Sequence, residues 1–195
     1  MSSGPSAGSA PDSTYLDRIA RLHRELGIAE DYALSRSLTL FFEAASLTIA
    51  DYDPDGAEIN LSVEAAEAWL AMKDGARNEG VILLPYSGFR SVEHQVRIIR
   101  SRLERGQPLE SILRYVAAPG YSEHHTGRAI DIGTLFEPPL EESFAQTSAY
   151  FWLSQRAADF GFVLSYPRGN RHGIGYEPWH WIFRDPMGKP RPKSR

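Results

Sequence analysis

Tyr121-Ser122-Glu123-His124-His125-Thr126-Gly127-Arg128-Ala129-Ile130-Asp131-Ile132 sets a histidine and an aspartate seven residues apart, with the small residues Gly127 and Ala129 between them. In an extended strand successive side chains alternate between faces. Such a strand would place Gly127, Ala129 and Asp131 on one face and Arg128, Ile130 and Ile132 on the other. A face bearing a hydrogen, a methyl and one carboxylate leaves room for a bound group, and a metal ion with its substrate is one candidate.

One histidine and one aspartate do not complete a metal site. Glu177-Pro178-Trp179-His180 offers a third ligand far along the chain. A catalytic zinc takes three protein ligands and keeps a fourth position for water. His124, Asp131 and His180 would supply the three, which leaves Glu177 over as a base. Pro178 fixes its own φ and biases Glu177 towards extended backbone, so Glu177 and His180 can converge on one point.

Composition narrows the function classes. The chain has 195 residues, 42% of them hydrophobic and 24% charged, which fits one soluble domain with enough apolar surface for a core. A formal net charge of −4 argues against an electrostatic nucleic-acid binder. No apolar run is long enough to span a bilayer. There is no cysteine, so a metal must be held by histidine and carboxylate. The Ser/Gly/Ala/Pro-rich start has neither a basic opening nor an apolar centre, so it is not read as a signal peptide. The compartment stays open between the cytoplasm and, with an export signal removed, the periplasm or cell wall.

Periodicity and turn residues predict the order of elements. A disordered tail is expected over 1–13, an N-terminal helix and strand extension over 14–60, the core over 61–185, and a polar tail over 186–195. Tyr15 to Leu26 has helical spacing with Gly27 as a stop, and its His23 reads as a solvated histidine. A strand is expected around Leu47 to Ala50, then a turn at Asp53-Pro54-Asp55-Gly56. Ser62 caps a helix to about Asn78 with a buried stripe of Ala65, Trp69, Met72 and Ala76. Val81 to Leu84 reads as a buried strand. A helix from Ser91 or Val92 to about Arg105 follows, with Arg97, Arg100, Arg102 and Arg105 as a mostly solvated face. Pro108 to Val116 reads as a short helix and Gln146 to Phe160 as a longer one. Strands are expected over Phe162 to Tyr166 and Trp179 to Phe183. This order predicts an α+β single domain.

Ser122-x-His124-x-x-Gly127-x-Ala129-x-Asp131, followed by Glu177-Pro178-Trp179-His180, resembles the zinc D-alanyl-D-alanine carboxypeptidase family. That family includes vancomycin-resistance D,D-carboxypeptidases and dipeptidases, and L,D-carboxypeptidase relatives. Ser87-Gly88-Phe89-Arg90-Ser91 with Gln95 resembles its upstream arginine motif. The resemblance spans about residues 80 to 184 and implies a small central antiparallel sheet with packed helices. It implies Zn²⁺ on His124, Asp131 and His180, Glu177 as general base, and Arg90 holding an oxyanion or a substrate carboxylate. Ser122 and Gln95 are implied near the substrate, while His94 and His172 have no motif support. His125 is expected at the rim or in solvent, and Trp179 is expected to wall the pocket or pack beneath His180. Relatives usually continue from the ligand histidine with Leu-Arg-Tyr, where this chain has Trp181-Ile182-Phe183, so peptide specificity stays open.

The expected activity is removal of C-terminal D-alanine from peptidoglycan stem peptides or muropeptides, by a monomer with no nucleic-acid partner. The alternatives are an endopeptidase cutting L-alanyl-D-glutamate bonds on the same scaffold, or a zinc-bearing peptidoglycan-binding module without catalysis.

Overall fold

A computed structural model describes residues 13–184. The tails expected over 1–13, apart from residue 13, and over 186–195 lie outside the described residues. The chain opens with helices α1 (Ser13–Leu26) and α2 (Tyr32–Ser35), followed by an antiparallel hairpin of β1 (Thr48–Tyr52) and β2 (Glu58–Leu61). Next come α3 (Val63–Asn78), β3 (Leu84–Ser87), α4 (Val92–Glu104) and the short α5 (Leu109–Ile112). A 3₁₀ turn over Glu123–Thr126 leads into β4 (Ala129–Gly133). Helix α6 (Ser148–Arg156) and strands β5 (Phe162–Leu164) and β6 (His180–Phe183) complete the described chain. Strands β3, β4, β6 and β5 lie side by side in that order, all antiparallel, which makes the domain α+β as expected.

Helix α3 follows its sequence closely. The Ser62 side chain accepts the Ala65 N–H, Glu64 lies in the first turn, and Gly80 leaves the helix end at φ +78°. Its buried stripe of Ala65, Trp69, Met72 and Ala76 is fully sequestered against the sheet and the β1–β2 hairpin. Burying a side chain of the size of Met72 is worth about 1.5–3 kcal/mol. A second apolar cluster joins α1, α4 and α5 through residues such as Ile19, Leu22, Val96, Ile99 and Ile112.

Strand β4 runs through the middle of the sheet, and all five of its residues are buried. Ile130 and Ile132 enter the core, while Ala129 and Asp131 alternate to the opposite face. Register does the rest. Asp131 pairs with Ser87 of β3 on one side and His180 of β6 on the other. Two residues distant in sequence thereby become direct neighbours.

Several expectations shift. His124 and Gly127 do not belong to an extended strand. His124 lies in the 3₁₀ turn, and Gly127 closes that turn at φ +63°, a left-handed conformation that favours glycine. Gly127 is also small for a different reason than room for a ligand. A Cβ there would meet Leu47 Cδ2 at 2.8 Å and the Ser62 nitrogen at 3.0 Å. The strand expected over Val81 to Leu84 begins only at Leu84, because Gly80 and the residues after it still turn out of α3. The helix expected over Pro108 to Val116 is one turn long, and the Gln146 to Phe160 helix tightens to 3₁₀ from Ala157. The later strands are shorter than expected, Phe162–Leu164 and His180–Phe183. No helix among the described residues is long and apolar enough to cross a membrane.

Candidate metal centre and its cleft

His124, Asp131 and His180 each bring one ligand atom to a point where all lie within 4.8 Å of one another, and all three are buried. His124 Nε2 stands 3.3 Å from Asp131 Oδ1, and His180 Nδ1 stands 3.1 Å from the same oxygen. A tetrahedral zinc with ligand distances of about 2.0–2.2 Å separates its ligand atoms by roughly 3.3 Å.

The ring nitrogens facing this point are set from behind. The Gly88 carbonyl accepts His124 Nδ1–H at 2.6 Å, which leaves a lone pair on Nε2. That Nε2 is buried with no hydrogen-bond partner. Burial, with Arg90 nearby, pushes the His124 pKa down to about 4, so the ring is neutral. A neutral nitrogen lone pair thus faces a carboxylate oxygen at 3.3 Å, an arrangement that a cation between them would satisfy. Glu123 Oε2 lies 2.9 Å from His180 Nε2 and in turn accepts Ser165 Oγ–H at 2.5 Å. Burial opposes a charge on His180, but hydrogen bonds to Asp131 and Glu123 override it and raise its pKa to about 10. Two buried carboxylates therefore call for positive charge here, and the donor set fits a divalent metal.

Asp131 is shared. Its Oδ1 faces the two histidines, while its Oδ2 accepts Arg90 Nη2–H at 2.8 Å. Burial works against its charge, yet His124, His180 and Arg90 hold its carboxyl well below the usual range. Arg90 is braced by a second bond from Nε to Ser87 Oγ at 3.0 Å. Glu177 is buried, and its Oε2 lies 4.0 Å from His180 Nδ1, beyond hydrogen-bond reach. Burial is the main reason its pKa rises to about 8, against His180 and Arg90 pulling it down.

These groups open into one cleft of about 1030 Å³ that Ser122, Gln95 and Trp179 also line. The structure therefore brings Arg90, Gln95, Ser122, His124, Asp131, Glu177 and His180 to one cleft. Gln95 is buried rather than on a helix surface; its amide donates to the Ala117 carbonyl at 2.7 Å and its Oε1 has no partner. Trp179 both lines the cleft and belongs to the core.

His125 corrects an expectation. It is fully buried, because the 3₁₀ turn carries it inward instead of to the rim. Its Nε2 accepts the Gly120 N–H at 3.0 Å, and its Nδ1–H donates to the Arg90 carbonyl at 2.6 Å. His23 is half-buried, and its Nε2–H donates to the Pro119 carbonyl at 2.8 Å.

Sequence reasoning missed Glu123, the Gly88 carbonyl, Ser165 and Tyr166, whose ring packs on His180 at 4.9 Å between centroids. The sequence signal for Glu123 was its place beside His124. An extended backbone would send adjacent side chains to opposite faces, whereas the tight turn lets both serve one site.

Residues 58–186 match the family described as VanY, D-alanyl-D-alanine carboxypeptidase. The Bacillus subtilis (strain 168) protein YodJ is 39% identical over 124 residues, which are 60% of this chain and 44% of YodJ. VanXYC of Enterococcus gallinarum, a bifunctional D-Ala-D-Ala dipeptidase and D-Ala-D-Ala carboxypeptidase, is 31% identical over 131 residues, 65% of this chain and 68% of that protein. Among solved structures, the LdcB LD-carboxypeptidase matches with a TM-score of 0.64 at 33% identity, over 73% of this chain and 69% of that one. A mutant of the D,D-pentapeptidase VanY from a VanB-type resistance cassette, in complex with Zn(II), matches with a TM-score of 0.58 at 25% identity, over 73% and 79% of the two chains. The chain thus spans less than half the length of YodJ and about two thirds of VanXYC.

Proposed function

The chain belongs to the VanY family of D-alanyl-D-alanine carboxypeptidases, and from that premise we propose that it is a zinc peptidase releasing C-terminal D-alanine from peptidoglycan stem peptides. The observation that carries the reading is the convergence of His124 Nε2, Asp131 Oδ1 and His180 Nδ1, with each ring's other nitrogen engaged behind it by Gly88 or Glu123. These three residues would hold the metal. Zinc bound there lowers the pKa of water from about 15.7 towards about 7 and polarises a carbonyl.

The chain's own residues do the remaining work. Glu177 takes the water's proton and delivers it to the amine that leaves. Its carboxyl is buried in the cleft beside the candidate ligands, with Oε2 4.0 Å from His180 Nδ1. Arg90 keeps Asp131 ionised and turned towards the histidines, and the rest of its guanidinium faces the cleft to steady the developing oxyanion or a substrate carboxylate. Gln95 and Ser122 also line the cleft, where they would border the peptide. No serine nucleophile takes part, so β-lactams should not acylate the protein.

Mass spectrometry of defined muropeptides incubated with zinc-loaded protein tests the reading. Release of D-alanine from D,D- or L,D-terminated peptides supports it and shows which bond is preferred. Cleavage only between L-alanine and D-glutamate would replace it with an endopeptidase, and binding without turnover would replace it with a binding module. His124→Ala, Asp131→Ala and His180→Ala should each lose zinc, and full retention in all three would overturn the ligand set.

A further inference from the structure

We propose that the cleft face of α4 is a second recognition subsite, in which Arg97 reads a carboxylate on an extended peptide upstream of the bond cut and Arg102 and Arg105 continue the positive face. The proposal rests on the peptidase reading and names the substrate feature that the same cleft selects.

The arginines of α4 divide into two groups. Arg100 turns away and pairs with Glu25 of α1 at 3.0 Å. Arg97, Arg102 and Arg105 line the cleft that holds the candidate metal centre. Helical phase explains the division: Gln95, Val96 and Ile99 form the buried stripe, and the cleft residues recur beside it. Arg97 and Arg102 form no ion pair among the described residues, and Arg105 donates only to Ser101 Oγ, at 2.8 Å. Arg18, Arg156 and Arg168 have acid partners in Glu43, Glu79 and Glu142, whereas Arg114 and Arg128, like Arg97 and Arg102, form no ion pair among the described residues, and Arg97 lies near enough to Glu93 to help hold that carboxyl below its ordinary range.

Gln95 lies on the same helix and lines the same cleft, with its amide donating to the Ala117 carbonyl at 2.7 Å. Distance then selects the position read. A helix rises about 1.5 Å per residue, so Arg97 stands about 9 Å beyond Ser91 and Arg105 about 21 Å beyond it. An extended peptide covers about 3.3 Å per residue, so with its C-terminal end beside Arg90 the residue about three before the terminal bond meets Arg97. A free carboxylate at that position matches the planar guanidinium fork. Glu141 and Glu142 also line the cleft and work against a polyanion, so a peptide with one or two separated carboxylates fits better than a polyphosphate chain.

The test uses two pentapeptides that differ only in the group three residues before the terminal bond, a carboxylate in one and a carboxamide in the other. Their terminal peptide bonds are N-methylated to resist hydrolysis, and binding to zinc-loaded protein is measured by calorimetry. Partly exposed ion pairs are individually weak, so the acid peptide should bind about three- to thirty-fold more tightly at low salt. The preference should shrink as salt rises and vanish in the Arg97→Gln/Arg102→Gln double variant. Equal affinity for the two peptides, no binding of either, or an unchanged preference in the double variant would each overturn the subsite. Hydrolysis of the unmethylated pair reads the parent proposal separately. Equal turnover of both peptides leaves the peptidase and removes the subsite, whereas acid-selective binding without turnover does the reverse.

Discussion

Glu123 lies with its Oε2 2.9 Å from His180 Nε2, and this contact decides which nitrogen of the His180 ring faces Asp131. With Nε2–H donated to the carboxylate, Nδ1 is the nitrogen left to serve a metal. Loss of such a supporting partner typically costs about 10–100-fold in metal affinity. Glu123→Ala should therefore bind zinc at least about tenfold more weakly than wild type in a competition titration with a chelator, while its far-ultraviolet circular dichroism stays native. Ser165→Ala, which removes one bond to Glu123, should show a smaller loss in the same direction. Undiminished zinc affinity in Glu123→Ala would show that His180 is oriented by Asp131 and Tyr166 alone.

Glu177→Gln separates the base from the ligands. The amide keeps the size of the side chain but cannot accept the water's proton. Zinc content should remain at about one ion per chain, and D-alanine release should fall by about 10²–10⁴-fold. Loss of zinc along with activity would make Glu177 a ligand, and undiminished turnover would move the base to another residue.

Gly127→Ala addresses the turn that presents His124. At φ +63° an added Cβ is strained whatever the space, and here it would also press on Leu47 Cδ2 and the Ser62 nitrogen. The Ser62 N–H to Gly127 carbonyl bond, 2.7 Å long, leaves the backbone little freedom to move away. Destabilisation of about 1–3 kcal/mol is expected in denaturant titration. A change below about 0.5 kcal/mol would mean that the turn adapts freely.

His23 gives a pH signature remote from the metal. Burial lowers its pKa below the ordinary 6.5, and the hydrogen bond to the Pro119 carbonyl only partly offsets this. A histidine with a depressed folded pKa is protonated first in the unfolded chain. Its contribution is therefore complete above the unfolded value and is lost as pH falls through 6.5 towards the folded value. His23→Gln retains a donor for Pro119 but does not titrate. The melting temperature of wild type relative to this variant should fall between pH 7.5 and 5.5, and a constant difference across that range would count against a buried neutral His23.

The sequence by itself determined the local elements whose signals are short-range. Ser62 with Gly80 bounded α3, Ser91 with Gly106 bounded α4, and the four residues of the α3 stripe are all buried as periodicity required. It also supplied the metal-centre candidates, because His124, Asp131 and His180 carry chemistry in their types and spacing. Tertiary structure decided how they meet. The register that sets Asp131 beside His180 joins β4 to a strand about fifty residues away, and no local propensity encodes that pairing. The same holds for the turn around His124. An extended reading sent His125 to the rim and left Glu123 without a role, whereas the 3₁₀ geometry buries both and aims one at Arg90 and the other at His180. Arg97 and Arg102 read as solvated charges in sequence, since which face of a helix borders a cleft depends on what packs on its other side. For α4 that is the apolar cluster shared with α1 and α5, which takes up Val96 and Ile99 and leaves the arginines lining the cleft of the candidate metal centre.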